Sequence, residues 1–149
     1  MIQFQSNLPA ILNTVNLKLT SLDIDRMTRE QATTLRALMR IRIHEEGKDS
    51  NGTPIGTYTP AYIKYTRAKA GRGTDNKVIL SLTRAMEQSM ELYPITNGTG
   101  IGFSTQENWQ KAKWCEETYQ KKIYAPTAEE RDVCKAVAQD YIKNHIGNG

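Results

Sequence analysis

The stretch from 127 to 147 constrains this chain most, because it carries both the start and the stop signals of an amphipathic helix. Thr127-Ala128-Glu129-Glu130 is a full capping box, in which the side chains of cap and third residue satisfy each other's orphan amides. The paired carboxylates also suit the positive end of the helix dipole. Cys134, Val137, Ala138, Tyr141, Ile142 and His145 then form a continuous stripe, and Gly147 ends it. A second helical pattern starts near Thr28, whose spacing to Gln31 is again that of a capping box. Ala32, Leu35, Met39 and Ile43 recur along it, with Leu38 flanking and Gly47 as terminator.

Between these helices the chain is punctuated by turns. Residues 47–60 are rich in Gly, Asn, Asp and Pro and predict a loop. Thr59-Pro60 reads as the cap and first residue of a short helix that stops at Gly71-Arg72-Gly73. A third helix is predicted over about 80–90, with Leu82, Met86 and Met90 on one face. Leu92 to Thr96 reads as a strand, Asn97-Gly98 as a hairpin turn and Ile101 to Ser104 as the returning strand. Residues 106–118 predict a helix anchored by Trp109 and Trp114, and Lys122 to Ala125 a further short strand. Residues 1–22 read two ways. Pro9 can open a short helix carrying Ile11, Leu12 and Val15, whereas residues 15–19 alternate like a strand. The helix is the preferred reading, as a peripheral segment. The pattern predicts an α+β fold with N-terminal helices, a small antiparallel sheet with a hairpin near 92–104 and a long C-terminal amphipathic helix.

Length and composition set the class. The 149 residues are expected to form a single domain. With 24% charged residues, 38% hydrophobic residues and a mean hydropathy of -0.60, the chain is globular and wet. Its longest apolar stretches are like Val78-Ile79-Leu80, too short for a membrane span, so no membrane partner is expected. The start lacks a basic segment before a long apolar run, which argues against a secretory signal. Cys115 and Cys134 are too few for a disulfide scaffold and fit a reducing cytoplasm.

Charge is uneven along the chain. The net charge is +4, and residues 51–100 hold six basic against three acidic side chains, while the other two thirds are nearly balanced. Lys64, Arg67, Lys69, Arg72 and Lys77 form the cluster, opposed only by Asp75. Tyr58, Tyr62 and Tyr65 interleave with it. Aromatic rings beside cations suit single-stranded nucleic acid. They suit a protein interface equally, or tyrosines packed inward beneath solvated cations. Interface and plain packing rank above nucleic acid.

No catalytic constellation emerges. His44 and His145 are the histidines, and His145 sits in the last helical turn, where a cation suits the dipole. His44, Glu45 and Glu46 are consecutive, so on a helix they point about 100° apart and do not converge on one ion. Glu45, Glu46 and Asp49 could ligate a hard cation, but a solvated helix end is the better reading. Cys134 lies on the apolar stripe as a core residue, and nothing activates Cys115. Phosphate loops, HExxH and CxxC motifs are absent. Asn51-Gly52-Thr53 and Asn97-Gly98-Thr99 match the glycosylation pattern but read as turns. The expectation is no catalytic, cofactor-binding or metal site, no cofactor and no small-molecule substrate.

Four segments, in order, carry a likeness. Arg42-Ile43 at a helix end is followed by Asp49-Ser50-Asn51-Gly52. Tyr58-Thr59-Pro60 leads to Thr66 and Lys69. Leu80 or Leu82, Thr83, Met86, Ser89 and Met90 follow, and Ala125-Pro126 then leads into Glu129-Glu130 and the terminal helix. Over about residues 23 to 145 the chain resembles the tail-completion (virion morphogenesis) proteins of tailed bacteriophages, small adaptors at the head–tail junction. Their pattern is Arg-Phe, Asp-x-x-Gly, an aromatic-Pro helix entry, Leu-x-x-(Ser/Thr)-Gly-x-Leu-x-x-Ser-Ile and a final amphipathic helix. Tyr58 stands where the pattern has Trp, Arg84 where it has Gly, and its Arg-Pro-Phe-Leu motif is missing. The resemblance implies a structural virion protein, not an enzyme, made in the host bacterial cytoplasm and assembled as a ring at the head–tail junction. Its implied partners are neck, connector and tail proteins and copies of itself, with contact to packaged DNA left open. Loops 47–57 and 71–77 are expected to order on docking. Tyr58, Tyr62, Lys64, Arg67, Lys69 and Arg72 are the interface candidates. The alternative reading is a small basic nucleic-acid-binding protein.

Overall fold

A computed structural model describes residues 2–5 and 23–146 of the chain. The elements are β1 (Ile2–Gln5), α1 (Ile24–His44), α2 (Pro60–Tyr62, running into a π-helical turn Ile63–Arg67), α3 (Ala85–Gln88), β2 (Met90–Ile95), β3 (Gly98–Phe103), α4 (Gln106–Tyr119) and α5 (Ala128–Ile146). The three strands form an antiparallel sheet in the order β1-β3-β2. This is the expected mixed fold, with a small antiparallel sheet and a long C-terminal helix. The helix expected around Pro9 and the alternating run 15–19 lie outside the described residues, as does Gly147.

α1 starts earlier than its Thr28-Gln31 spacing predicts. Asp23 is the N-cap and accepts from the Arg26 amide, so Thr28 is already inside the helix. Thr28 and Gln31 serve packing instead. The Thr28 hydroxyl lies 3.4 Å from that of Thr99 on β3, and the Gln31 amide donates to the Cys134 carbonyl on α5 at 2.8 Å. Ala32, Leu35, Met39 and Ile43 are buried as predicted. They place α1 along α5 and across β3 and β2. The core also takes in Ile55, Val78, Met90, Ile101, Ile123 and Cys134. On α5 the capping box forms in full: the Thr127 amide donates to Glu130 Oε2 and the Glu130 amide to Thr127 Oγ1. Cys134 and Tyr141 are buried, and His145 stacks on the Tyr141 ring at the exposed end.

Several segments depart from their sequence pattern. The predicted helix over 80–90 shrinks to Ala85–Gln88, and Met90 opens β2. Leu80 and Arg84 both adopt left-handed backbone (φ 46° and 61°), which no helix can continue through. The hairpin turns one residue early: Ile95 pairs with Gly98, so Thr96-Asn97 form the turn and Asn97 takes the left-handed position. Residues 122–125 form no strand. Glu116 accepts from the amides of Ile123 and Tyr124, and Arg42 donates to the carbonyls of Ile123 and Ala125, so side chains replace a ladder. Trp109 is half-buried beneath Lys113, but Trp114 is exposed and anchors nothing. Loop 47–57, expected to order on docking, has internal partners. Asp49 is buried and accepts from the amides of Asn51 and Thr53 and the Thr53 hydroxyl, while the Ser50 amide donates to the Lys122 carbonyl. Loop 71–77 is tied as well: Thr57 bridges to Lys77, and the Tyr58 amide donates to the Asn76 carbonyl.

Candidate interaction surface

The tyrosine-cation segment begins as predicted. Thr59 caps α2 by accepting from the Tyr62 amide, and Pro60 holds the first turn. The helix then widens, with the Ala68 amide donating to the Ile63 carbonyl and the Arg72 amide to that of Arg67, five residues back. That widening and the loop after it divide the six candidate residues into two groups.

Four of them face inward or are spent on internal bonds. The Tyr58 hydroxyl accepts from the amides of Ile79 and Leu80 at 3.3 and 3.1 Å. Tyr62 packs against it at a ring separation of 5.0 Å. The Arg67 guanidinium lies over the Tyr58 ring at 4.6 Å, is 2% exposed, and donates through Nη2 to the Arg72 carbonyl. Its Nε and Nη1 have no partner. Arg72 Nε donates to the Leu82 carbonyl at 2.6 Å. Burial raises the Tyr58 pKa above its usual value, so the hydroxyl stays protonated. Arg67 is therefore a packing cation, and Arg72 ties the 71–77 loop to the segment before α3.

Lys64 and Lys69 point to solvent. Both reach over the Tyr65 ring, their ammonium groups lying 5.2 and 5.9 Å from its centre, where an incoming base would displace them. Tyr65 is 59% exposed, the most open large ring among the described residues. The sequence pattern selects Tyr58 and Tyr62 as candidates and leaves Tyr65 out, and the fold reverses this: the Tyr58 hydroxyl is tied to the Ile79 and Leu80 amides, whereas Tyr65 lies open. The free surface is Lys64-Tyr65-Lys69.

The histidines, cysteines and acidic residues weighed in the sequence lie elsewhere. His44 is buried, with Nδ1 3.3 Å from the Ile79 carbonyl and Nε2 unpartnered. Near it Glu87 takes a hydrogen bond from Arg40 at 2.9 Å and one from Ser81 at 3.4 Å. Burial would raise the Glu87 carboxyl, but the Arg40 bond and neighbouring cations outweigh it and hold the pKa down. For His44 burial dominates and lowers the pKa below 6.5, although Glu87 pulls the other way. Above pH 6.5 the imidazole is neutral folded or unfolded, so it adds no pH dependence; below 6.5 the unfolded chain takes a proton that the fold resists. Stability is expected to fall as the pH drops below about 6.5, until the buried imidazole itself takes the proton. His44→Leu should flatten that window in urea denaturation, and an unchanged slope would reject the assignment.

Cys115 and Cys134 are both pushed up by burial, so neither is a ready thiolate. Among the described residues no group of three or more His, Cys, Asp or Glu is placed to hold a metal ion. Glu46 pairs with Lys48, and Asp49 is spent on its own turn and Lys121. No helix of the described residues is long and apolar enough to cross a membrane. No protein-family profile, curated protein or solved structure matches this chain.

Proposed function

We propose that the chain is a structural, non-enzymatic virion protein of a tailed phage. In this reading it is a tail-completion or neck adaptor that assembles as a ring at the head–tail junction. The observation that carries the reading is the joint made by the residues of the resemblance. Arg42 and Glu130, from its first and last segments, are both buried and pair at 2.7 Å, and Arg42 also donates to the carbonyls of Lys48, Ile123 and Ala125. Short motifs far apart in sequence thus act as one structural unit. Arg84 adds support. It replaces the Gly of the resembled motif and holds the left-handed backbone that glycine adopts most readily.

That conformation gives a stability prediction. Arg84→Gly should raise stability by roughly 0.5–1 kcal/mol, read as a higher thermal midpoint, because glycine relieves the left-handed strain. A lower midpoint would show that Arg84 contributes more through its charge near Glu87 than its backbone costs.

Ring assembly needs surface to give to neighbours. Ile41, Tyr65, Trp114 and Val133 are the large apolar side chains left exposed among the described residues. Rings close through heterologous contacts repeated around an axis, so each contact can be small. The test is quantitative mass spectrometry of purified particles with immunogold labelling. A fixed copy number per particle and label at the head–tail joint are expected; absence from particles overturns the proposal. A second reading, a free nucleic-acid-binding protein, is favoured by the exposed Lys64-Tyr65-Lys69 group.

A further inference from the structure

Residues 50–74 contain no Asp or Glu and carry Lys64, Arg67, Lys69 and Arg72. None of these four cations takes part in an ion pair among the described residues. Arg67 is also buried with two donors unpartnered, so its charge is left without a counter-ion inside the segment. Such a region attracts a polyanion.

The division of side chains points to the kind of polyanion. Arginine forks match carboxylates in bidentate pairs, but Arg67 and Arg72 are committed to internal carbonyls. What faces solvent is a pair of ammonium point charges over a 59% exposed aromatic ring. Ammonium groups neutralise backbone phosphates without demanding a fixed orientation, and an open ring offers a platform to any base. A duplex hides its base faces, so the ring is useful only against an unpaired strand.

We propose that Lys64, Tyr65 and Lys69 form a binding ridge for single-stranded nucleic acid, with the lysines on phosphates and a base stacked on Tyr65. The inference does not rest on the adaptor reading, since it concerns the purified chain.

The test is fluorescence anisotropy with a labelled oligothymidylate of about 12 nucleotides, a duplex of equal length and polyglutamate as competitor. Log affinity for the single strand should fall linearly with log salt. Tyr65→Ala should weaken binding about tenfold with the salt slope unchanged, and Tyr65→Trp should restore it. Lys64→Ala with Lys69→Ala should reduce the slope by about one and a half units. These side chains are exposed, so the variants are expected to melt like the parent, and circular dichroism checks this. The proposal is overturned if low-salt binding is undetectable, if the duplex binds as tightly, or if Tyr65→Ala has no effect. Efficient competition by polyglutamate would assign the ridge to an acidic protein surface instead. Failure here leaves the particle-labelling result untouched, so the two proposals fall separately.

Discussion

Arg42→Ala is expected to lower stability by about 3–5 kcal/mol, because it leaves a buried carboxylate without its partner. Arg42 is 6% exposed and all three of its guanidinium nitrogens donate. Nε meets Glu130 Oε1 at 2.7 Å, Nη1 reaches the carbonyls of Lys48 and Ile123, and Nη2 that of Ala125. The other Glu130 oxygen caps α5 by accepting from the Thr127 amide. Truncation therefore strands one carboxylate and three carbonyls at once. Native stability is on the order of 5–15 kcal/mol, so this one change removes a large share of it. The double variant Arg42→Met with Glu130→Leu should recover part of the loss, since an apolar pair avoids the desolvation cost, while the carbonyls and the Thr127 amide that Glu130 caps remain orphaned. Urea denaturation of the two variants decides the matter. Equal loss in both would mean that the carbonyl bonds, and not the ion pair, hold the joint.

Gly47→Ala is the second large effect. Gly47 has φ +67°, and an added Cβ would stand 2.3 Å from the Val78 carbonyl oxygen, a backbone atom that cannot swing aside. Left-handed strain alone costs roughly 1–2 kcal/mol. The collision must add to it, so a total loss of about 3 kcal/mol or more is expected. Gly52 provides the control: it has φ +76° but nothing within 4 Å of the added Cβ. Gly52→Ala should therefore cost only the strain, about 1 kcal/mol. Equal midpoints for the two variants in urea would show that the 47–78 approach is loose. The contact bears on the interaction surface, because the segment after Val78 supplies the amides that hold the Tyr58 hydroxyl.

What the sequence made legible follows a physical rule. Several local signals form the bonds that their spacing predicts. The Thr127 capping box, the Thr59-Pro60 helix entry and the apolar stripe of α1 all form as their spacing requires. Misreadings fall where a stronger local cap or a tertiary contact overrides the pattern. Asp23 outcompetes Thr28 as the cap of α1, and Thr28 turns toward β3. The 80–90 helix is cut short by left-handed Leu80, whose amide is held by Tyr58 more than twenty residues earlier. Residues 122–125 have a strand-like sequence, yet Glu116 and Arg42 take their backbone groups. The interaction surface is half legible for the same reason. Composition reveals a cationic, tyrosine-bearing segment, but only the packing of Tyr58 shows that Arg67 turns inward while Lys64 and Lys69 stay out. Charge reversal at Lys64 and Lys69 therefore probes the surface, whereas reversal at Arg67 would test folding.

A role at the head–tail joint is tested by deleting the gene and imaging the lysate by negative-stain microscopy. Filled heads beside separate or misformed tails are expected, with normal particles restored by supplying the protein from a plasmid. Intact, infectious particles without the protein would contradict it.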